Sequence, residues 1–463
     1  MMKKKIILAL LLLIIVLVGV SVTGCKRDEK SGTLCVNYNV KCALNEEQKV
    51  LYVTSEIEVT NESDVSIKEL PFYLYPNAYE EEGGGVTIGN VSLYARDQIY
   101  NVDGINLLVT LDEELKAGES GVITISSRVA LPEGNGRLGY GNGYYNLHAF
   151  FPRLAYFDGG SFVVVPYSKI GDPYFFSYDD VTIKIEYPME YTLAFPGEMI
   201  SNSESESSKE GTFSLNNARD VAIALIKECE TYENEIDGVK IRQYTRGKED
   251  FTNFIKECLA FFSKEIGAYP YSSFALVETP FDYGGMEYSG IVLIKSGAQN
   301  KEFIIAHEII HQWFGLSVGS NSYEECWVDE SLTSFLTYYY MDIYNNGGYK
   351  ESISAEKGYY KKFMEVGKEK YGLGYQPRLD CTLGEFKTME EYSSMVYGYG
   401  VLLYDGIYNV LGEKSFKKAV RNYYSDYAGK VATGEDLMVS FSKSGGKKVE
   451  GVFKSYLENK VVF

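Results

Sequence analysis

The sequence predicts a multidomain α+β protein, in which an N-terminal antiparallel β domain precedes a mixed domain that ends in a helical lobe. The chain has 463 residues, too many for one hydrophobic core, so two or three domains are expected. From residue 35 to about 229, short segments of alternating polarity such as KVLYVTSEIEVTNES are separated by turn residues. From about 347 to the end, apolar residues recur at helical spacing.

Local patterns place several elements within these domains. Residues Phe251 to Ile266 have the pattern of an amphipathic helix, and the following SFALVETP has that of a strand. Gly412 to Ser415 predict a break between two helices. The polar segment 201–211, SNSESESSKEG, predicts a hairpin rather than a linker, because strand-like patterns resume at Thr212.

Two of the three histidines lie four residues apart, in His307-Glu308-Ile309-Ile310-His311. Four residues are slightly more than one helical turn, so both imidazoles leave the same face of a helix and can bind one cation. Glu308 lies close to that face, within reach of a water molecule on the metal. The pattern is the H-E-x-x-H motif of zinc peptidases. The alternative is a chance arrangement of solvent-facing histidines on a helix.

Glu330, in the segment WVDESLTSF, is the candidate for a third ligand. A catalytic zinc has three protein ligands and an open position for water. Eighteen residues separate Glu330 from His311, which suits a helix, a turn and a returning helix, with Gly315 and residues 319–322 as the break. Alone, Glu330 would be one of 64 acidic residues on a solvated surface. Its distance from the motif favours a ligand, and one zinc ion per chain is expected.

These residues predict the chemistry of peptide-bond hydrolysis. Zinc lowers the pKa of a bound water toward neutrality and polarises the scissile carbonyl. Glu308 would act as the general base that takes the proton of this water and passes it to the leaving amine. The oxyanion also needs a hydrogen-bond donor, and a phenol would serve, but composition does not choose among 41 tyrosines.

HEIIHQWFG, the eighteen-residue gap and WVDESLTSF resemble the aminopeptidase N-like family of zinc metallopeptidases, gluzincins with a distal glutamate ligand. Residues 277–288, VETPFDYGGMEY, are similar to the family's G-x-M-E-N strand, and residues 396–400, VYGYG, to its V-Y-x-K-G segment. The resemblance implies a thermolysin-like zinc peptidase domain. It also implies that Glu287 binds the free α-amino group of the substrate and that Tyr397 stabilises the oxyanion.

The physical requirements of an aminopeptidase agree with these roles. The enzyme must recognise the positive charge of the α-ammonium group, one residue from the bond that it cuts. A carboxylate on a strand beside the zinc can bind this group. Gly284 and Gly285 would let the substrate backbone approach that strand closely. Met286 and Glu287 complete the predicted substrate-binding strand. Alternatively, Glu287 is an edge-strand charge that opposes aggregation, and Tyr397 is one more packed aromatic residue.

Departures from the family pattern leave the substrate preference open. Tyr288 stands where the family usually has asparagine, and Tyr399 where it has lysine. Residues 329–333 read DESLT where the family usually has NEGFA. The large helical domain that many members carry after the catalytic part has no counterpart before Phe463, so both exopeptidase and endopeptidase action are considered.

Residues 1–25 have the three parts of a bacterial lipoprotein signal peptide. Lys3 to Lys5 are basic, Ile6 to Val20 are apolar, and small residues lead to Cys25. The segment VTGC resembles a lipobox, which implies lipidation of Cys25 and anchoring in the cell membrane, with the catalytic domain outside the cytoplasm. Residues 26–34 would form a tether. An uncleaved signal anchor is the alternative, although the apolar segment is short for a spanning helix.

The predicted organisation therefore has four parts. They are a lipoprotein signal peptide (1–25), a tether (26–34), the N-terminal β domain (35–229) and the zinc metallopeptidase domain (230–463, with its helical lobe from about 347).

Charge and cysteine content restrict the partners. A formal charge of −19 argues against nucleic acid, because phosphate binding requires a basic surface. Peptides with a free N-terminus are the simplest substrates. Cys35 and Cys42 could form a disulfide, and no C-x-x-C pair indicates another metal or redox site. Cys326 is expected to be a small buried residue. His148, in the β domain, is expected to be structural.

Three functions follow from these observations. The leading one is a zinc aminopeptidase that removes N-terminal residues from peptides. The second is a zinc endopeptidase with the same chemistry, and the third is a peptide-binding surface lipoprotein with a structural zinc site.

Overall fold

The computed structural model describes residues 33–345, 347 and 349–461. The predicted signal peptide with Cys25, and all but the last two residues of the predicted tether, lie outside the described residues. The predicted fold class is confirmed, because strands build the first half of the chain and helices dominate its last third. In the part of the chain that the structure describes, no helix is both long and apolar enough to cross a membrane.

Strands with alternating burial form the first domain, as expected where one face of a sheet covers a core. They are β1 (Leu34–Asn45), β2 (Val50–Asn61), β3 (Ile67–Tyr73), β4 (Gly85–Leu93), β5 (Arg96–Asp97), β6 (Ile99–Asp103), β7 (Asn106–Leu115), β8 (Ser120–Ala130), β9 (Leu138–Gly141), β10 (Tyr144–His148), β11 (Arg153–Leu154), β12 (Tyr156–Phe157), β13 (Phe162–Val163), β14 (Asp179–Pro188), β15 (Tyr191–Ala194), β16 (Glu198–Glu204), β17 (Ser208–Ala218) and β18 (Ala222–Lys227). A 3-10 helix at Tyr75–Glu82 follows β3.

Three sheets share the core of this domain. The largest has the order β16-β17-β14-β1-β2-β8-β4-β5, and two smaller ones have the orders β15-β18-β10-β9 and β11-β3-β7-β6. Val40, Leu70 and Ile223, one from each sheet, belong to one buried apolar cluster. The antiparallel pattern holds in the largest sheet except that β1 and β14 run parallel. The polar segment 201–211 forms the predicted hairpin. It includes the end of β16, the turn and the start of β17.

The suggested disulfide between Cys35 and Cys42 is wrong, because both residues lie in the single strand β1. Seven residues of extended chain span about 23 Å, whereas the Cα atoms of a disulfide lie within about 7 Å of each other. An odd spacing also places the two side chains on opposite faces of the sheet.

The second domain combines a sheet with a lobe of helices. Its elements are β19 (Glu230–Ile236), β20 (Val239–Thr245), α1 (Thr252–Glu265), β21 (Ser273–Thr279), β22 (Gly285–Tyr288), β23 (Ile291–Lys295), α2 (Lys301–Ile310), β24 (Phe314–Gly315), β25 (Val318–Gly319), α3 (Trp327–Tyr344), α4 (Tyr349–Tyr371), α5 (Met389–Ser393), a π-helix (Ser394–Tyr399), α6 (Gly400–Leu411), α7 (Glu413–Tyr427), β26 (Lys430–Val431), α8 (Gly434–Gly445) and α9 (Lys447–Leu457). A 3-10 turn at Leu383–Glu385 precedes α5.

The sheet of this domain has the order β19-β20-β21-β23-β22 and is mixed. Strand β22 is at its edge, where Glu287 pairs with Val292 of β23. Ile309 of α2 and Phe335 of α3 are buried in the same apolar cluster as Val292. The sheet and this helix pair therefore hold the H-E-x-x-H segment beside the edge strand.

The first domain packs directly on the loop between α2 and α3. The Tyr178 hydroxyl donates to the Ser317 carbonyl at 2.9 Å and accepts from the Gly319 amide at 2.7 Å. Arg219 donates to the Gly315 carbonyl at 3.0 Å. At Gly319 a Cβ atom would run into Arg219 and the Tyr178 hydroxyl, so only glycine allows this approach. These contacts fix the turn that brings α3 back to α2.

Candidate metal centre and substrate cleft

The two histidines of the motif lie on one face of α2. His307 is in the last turn, and His311 directly follows the helix with a helical backbone, its amide donating to the His307 carbonyl at 3.2 Å. The ring centroids are 4.7 Å apart and the two Nε2 atoms only 3.1 Å apart. Both imidazoles therefore point to one location, as the four-residue spacing predicts.

Glu330 reaches the same location from the first turn of α3. Its Oε2 atom lies 3.3 Å from His307 Nε2 and 3.2 Å from His311 Nε2. Zinc binds imidazole nitrogen and carboxylate oxygen at about 2.0–2.1 Å, so adjacent ligand atoms of a tetrahedral site lie about 3.3–3.4 Å apart. The three observed separations, 3.1 to 3.3 Å, are close to this value. The donor set fits zinc in both chemistry and geometry.

The outer nitrogens of both imidazoles have hydrogen-bonding partners. His311 Nδ1 lies 3.0 Å from the Phe314 carbonyl, an acceptor that requires the proton to be on Nδ1. His307 Nδ1 lies 3.4 Å from Thr337 Oγ1. With the proton on Nδ1, each ring presents a lone pair at Nε2, which is the form that binds a metal.

Acidic side chains are concentrated around the two histidines. Burial raises the pKa of Glu308 to about 8, and nearby Glu330 raises it further against the effect of His311. Burial likewise holds the pKa of Glu287 well above its usual range. Burial acts in the same sense on Glu330, but His311 and His307 outweigh it and hold the pKa of Glu330 well below its usual range. The charge of a bound divalent cation would stabilise the ionised form of these buried carboxylates.

Strand β22 passes against the Glu308 carboxylate. Glu308 is 5% exposed, and a Cβ atom at Gly285 would collide with its carboxylate. Glu287, two residues further along, faces the same space and has its Oε1 atom 3.9 Å from His311 Nδ1. Glycine at position 285 therefore allows an edge strand and two carboxylates to lie side by side.

Tyr397 enters the site from the π-helix. Its hydroxyl donates to Glu330 Oε1 at 2.7 Å, and its ring lies 5.9 Å from the His307 ring, centroid to centroid. Burial and the Glu330 carboxylate raise the pKa of Tyr397 well above its usual range, so the phenol stays protonated. Ser331 Oγ donates to the Val396 carbonyl at 2.7 Å and ties the π-helix to α3. Single π turns recur at functional sites.

His307, Glu308, Glu330, Glu287 and Tyr397 line a cleft of about 520 Å³. The structure brings together every predicted site residue that it describes: His307, Glu308, His311, Glu330, Tyr397, Gly284, Gly285, Met286 and Glu287. Cys25 lies outside the described residues. His148 lies apart from this set, with both carboxylate oxygens of Asp220 2.9 Å from its Nε2, and it does not join the metal ligands.

Sequence reasoning missed the contribution of the first domain to this cleft. Arg137 and Asp172 line it and form a buried ion pair. Arg137 Nε donates to the Met286 sulfur at 3.1 Å, and its guanidinium lies 4.2 Å from the centre of the Tyr283 ring. Neither residue belongs to a motif or a periodic segment, so no local signal could have identified them.

Comparison with known proteins extends these observations. Residues 251–456 match the model of the peptidase family M1 domain. The chain contains a peptidase family M1 domain. The predicted relationship to the aminopeptidase N-like zinc metallopeptidases is therefore confirmed at the level of the family.

The curated relatives of this M1 domain are longer proteins. Aminopeptidase M1 of Arabidopsis thaliana is 24% identical over 248 residues, which are 48% of this chain and 27% of that protein. Aminopeptidase N of Lactococcus lactis subsp. lactis is 25% identical over 210 residues, 40% of this chain and 23% of that protein. The chain thus spans about a quarter of the length of these relatives.

A solved structure shares the whole arrangement of domains. The M1 zinc metallopeptidase from Deinococcus radiodurans superimposes with a TM-score of 0.73 at 15% identity, over 93% of this chain and 95% of that one. A mutant of that protein has been solved bound to a Tyr-Ser-Ala substrate. The similarity establishes that the two chains have the same fold.

Proposed function

We propose that this chain is a zinc aminopeptidase that removes N-terminal residues from peptides. One observation carries the proposal: the Glu287 carboxylate lines the same cleft as His307 and Glu330, and its Oε1 lies 3.9 Å from Nδ1 of His311. A carboxylate on this wall of the cleft can pair with an α-ammonium group while the adjacent carbonyl reaches the residues that would hold the metal. The Tyr-Ser-Ala ligand of the Deinococcus radiodurans mutant supports peptides as substrates.

His307, His311 and Glu330 would hold the zinc ion. When bound, zinc acts as a Lewis acid on the scissile carbonyl and lowers the pKa of water at the site. The partners at Nδ1 of both histidines orient the rings for this role. The Tyr397 hydroxyl restrains Oε1 of Glu330 and leaves Oε2 facing the imidazoles.

Glu308 would act as the general base. Its side chain is buried against β22, and burial favours its protonated form, so it accepts a proton readily once ionised. In the proposed reaction it takes a proton from the attacking water and delivers it to the nitrogen of the leaving residue. The chain thereby moves one proton across the site without exchange with bulk water.

Tyr397 would stabilise the negative charge that develops on the carbonyl oxygen. Its phenol stays protonated and is held beside the ligand Glu330, so it can turn its proton toward a substrate oxygen. A preformed donor in a site that excludes water costs little reorganisation during the reaction.

Glu287 would select the N-terminus. Gly284 and Gly285 leave the edge of β22 open to a peptide backbone, and the carboxylate that follows pairs with its terminal ammonium. In the proposed binding mode, a peptide whose ammonium group pairs with Glu287 would present its first peptide bond, and no later bond, to the residues that hold the metal.

The experiment compares Tyr-Ser-Ala with its N-acetylated form, measured as release of the first residue. The proposal expects rapid cleavage of the free peptide and none of the acetylated one. Equal cleavage of both, or internal cleavage of a blocked protein, would refute it and indicate an endopeptidase. Glu308→Gln should abolish cleavage while zinc is retained, whereas unchanged handling of peptide would favour a binding protein.

We also propose that lipidation of Cys25 anchors the enzyme to the cell membrane with its catalytic domain outside the cytoplasm. The support is the basic, apolar and small-residue order of residues 1–25. Labelling with a radioactive fatty acid tests this proposal. Label should enter the wild-type chain and be absent from Cys25→Ala, and equal labelling of the two would contradict it.

A further inference from the structure

A second cavity, of about 270 Å³, adjoins the substrate cleft on its helical side. Phe303, His307, Ser393 and Tyr397 line both spaces, so they meet at the metal ligand and the proposed oxyanion donor. Glu287 lines the cleft but does not line the second cavity. A peptide with its amine at Glu287 and its first carbonyl at His307 therefore continues toward this space, which we name the leaving-residue cavity.

One carboxylate, that of Glu356 on α4, faces the leaving-residue cavity. Its Oε1 accepts a hydrogen bond of 2.7 Å from the Tyr338 hydroxyl, which holds the side chain in place. Its Oε2 lies against the π-helix, 3.2 Å from where a Cβ atom on Gly398 would be. A larger residue than glycine at 398 would therefore crowd the carboxylate.

The Glu356 charge has no basic partner within the described residues. Its neighbour Lys357 is directed to Asp405, with 3.5 Å between Nζ and Oδ2. The described lining of the cavity includes neither lysine nor arginine. A half-buried carboxylate whose hydrogen bond comes from a neutral phenol is thus left to attract a cation from outside the chain.

The remaining walls suit a long side chain with a polar end. Phe303 and Tyr338 pack edge to face with ring centroids 5.2 Å apart, and Tyr359 is 68% exposed at the rim. Aromatic walls accept the methylene stem of lysine or arginine and attract its charge. Ser334 also lines the cavity.

We propose that Glu356 makes the enzyme prefer peptides in which lysine or arginine follows the N-terminal residue. This inference rests on the proposed aminopeptidase function and specifies its substrates. The cationic side chain of the leaving residue enters the leaving-residue cavity and pairs with Glu356. A preference of about tenfold in kcat/KM over an uncharged side chain of the same length is expected for one such charge-assisted contact.

The experiment uses Tyr-Lys-Ala and Tyr-norleucine-Ala in one competing mixture, because norleucine keeps the stem of lysine and lacks its ammonium group. The ratio of the two rates does not depend on how much of the enzyme is folded. Wild type should favour the lysine peptide about tenfold, and in Glu356→Gln the ratio should fall to about one. Glu365→Gln, an exposed carboxylate elsewhere on α4, is the matched control and should keep the wild-type ratio.

Charge reversal provides a second, independent variant. Glu356→Arg should favour Tyr-Glu-Ala over Tyr-Lys-Ala, the reverse of the wild-type order. The inference is overturned if wild type cleaves the lysine and norleucine peptides equally, or if Glu356→Gln keeps the wild-type ratio. Cleavage of both peptides with no preference would overturn only this inference, whereas absence of cleavage in the zinc-loaded wild type would overturn the proposed function as well.

Discussion

Replacing Tyr397 with phenylalanine removes one hydroxyl group from the centre of the site. The ring would keep its contacts with His307, 5.9 Å between centroids, and with Tyr392, 5.7 Å. The lost hydrogen bond is the one to Glu330 Oε1, and its length of 2.7 Å is that of a charge-assisted O–H donor. Little change in folding is expected, because the ring keeps its packing and only one polar contact is removed.

The expected loss of activity follows from the proposed role of this hydroxyl. Removing one donor to an oxyanion costs about 10²–10³ in kcat, equivalent to about 2.7–4 kcal/mol of transition-state stabilisation. We expect kcat of Tyr397→Phe for Tyr-Ser-Ala to fall by that factor while KM changes by less than about threefold. Steady-state kinetics of zinc-loaded enzyme at neutral pH measures both constants.

A matched control separates catalysis from structure. Tyr404 on α6 is buried, and its hydroxyl has no partner among the described residues, so Tyr404→Phe should leave kcat unchanged. Zinc content of Tyr397→Phe tests the competing explanation that the hydroxyl only orients Glu330. A kcat within threefold of wild type, or a loss explained by missing zinc, would refute the oxyanion role.

Three further predictions address the substrate anchor and the stability of the two domains. Glu287→Gln removes a charge-assisted contact with the α-ammonium group and should lower kcat/KM about 10- to 100-fold with zinc retained, and a change below threefold would contradict the anchor. Arg153→Met leaves Asp179 buried without its 3.0 Å ion-pair partner and should lower the free energy of unfolding by about 3–5 kcal/mol in urea titrations, with partial recovery when Asp179→Asn is added. Although burial alone would raise it, hydrogen bonds from Thr245 and Lys301 hold the pKa of Glu278 below its usual range. The folded pKa is thus below the unfolded one, so this stabilisation is present above the unfolded pKa of about 4.3 and is lost as pH falls through the folded pKa. Glu278→Gln should therefore be less stable than wild type by about 1 kcal/mol at pH 7, and this difference should shrink as pH falls below about 4; a difference in urea midpoint that does not change with pH would contradict this.

Local rules were sufficient to predict the centre of the site. The four-residue spacing of His307 and His311 determines a shared helical face wherever the helix lies in the fold. The position of Glu330 could be inferred because the glycine-containing segment after His311 permits only a short return. Alternating polarity in the sequence likewise predicted strands such as β2 and β8, whose burial alternates, since a sheet with one covered face imposes a period of two.

Features that depend on packing between distant segments could not be predicted from the sequence. Asp172 comes from an irregular segment of the first domain and reaches the cleft only because that domain packs beside β22. The pairing of β1 with β14 joins segments more than a hundred residues apart, and no local pattern selects its direction. Glu356 is one of four glutamates on the charged helix α4. Only the cavity beside Tyr397 indicates that it could contact a substrate.

The π-helix at Tyr397 shows that a residue singled out from the sequence can have an unexpected backbone conformation. The sequence predicts mainly helices in this part of the chain, so an α-helix would be expected at residues 394–399. Gly400, directly after this segment, lies so close to Ser331 of α3 that a Cβ atom would collide with the Ser331 side chain. The π turn is thus accompanied by close contacts with α3, which no local pattern in the sequence shows.

The zinc content of the purified chain tests the account most directly. Metal analysis by mass spectrometry should find one zinc per chain in wild type and in Glu308→Gln, and close to none in His311→Ala, whose ring is only 1% exposed at the centre of the ligand set. A wild-type chain that binds no zinc after incubation with a stoichiometric amount, or a His311→Ala chain that binds it as well as wild type, would contradict the account.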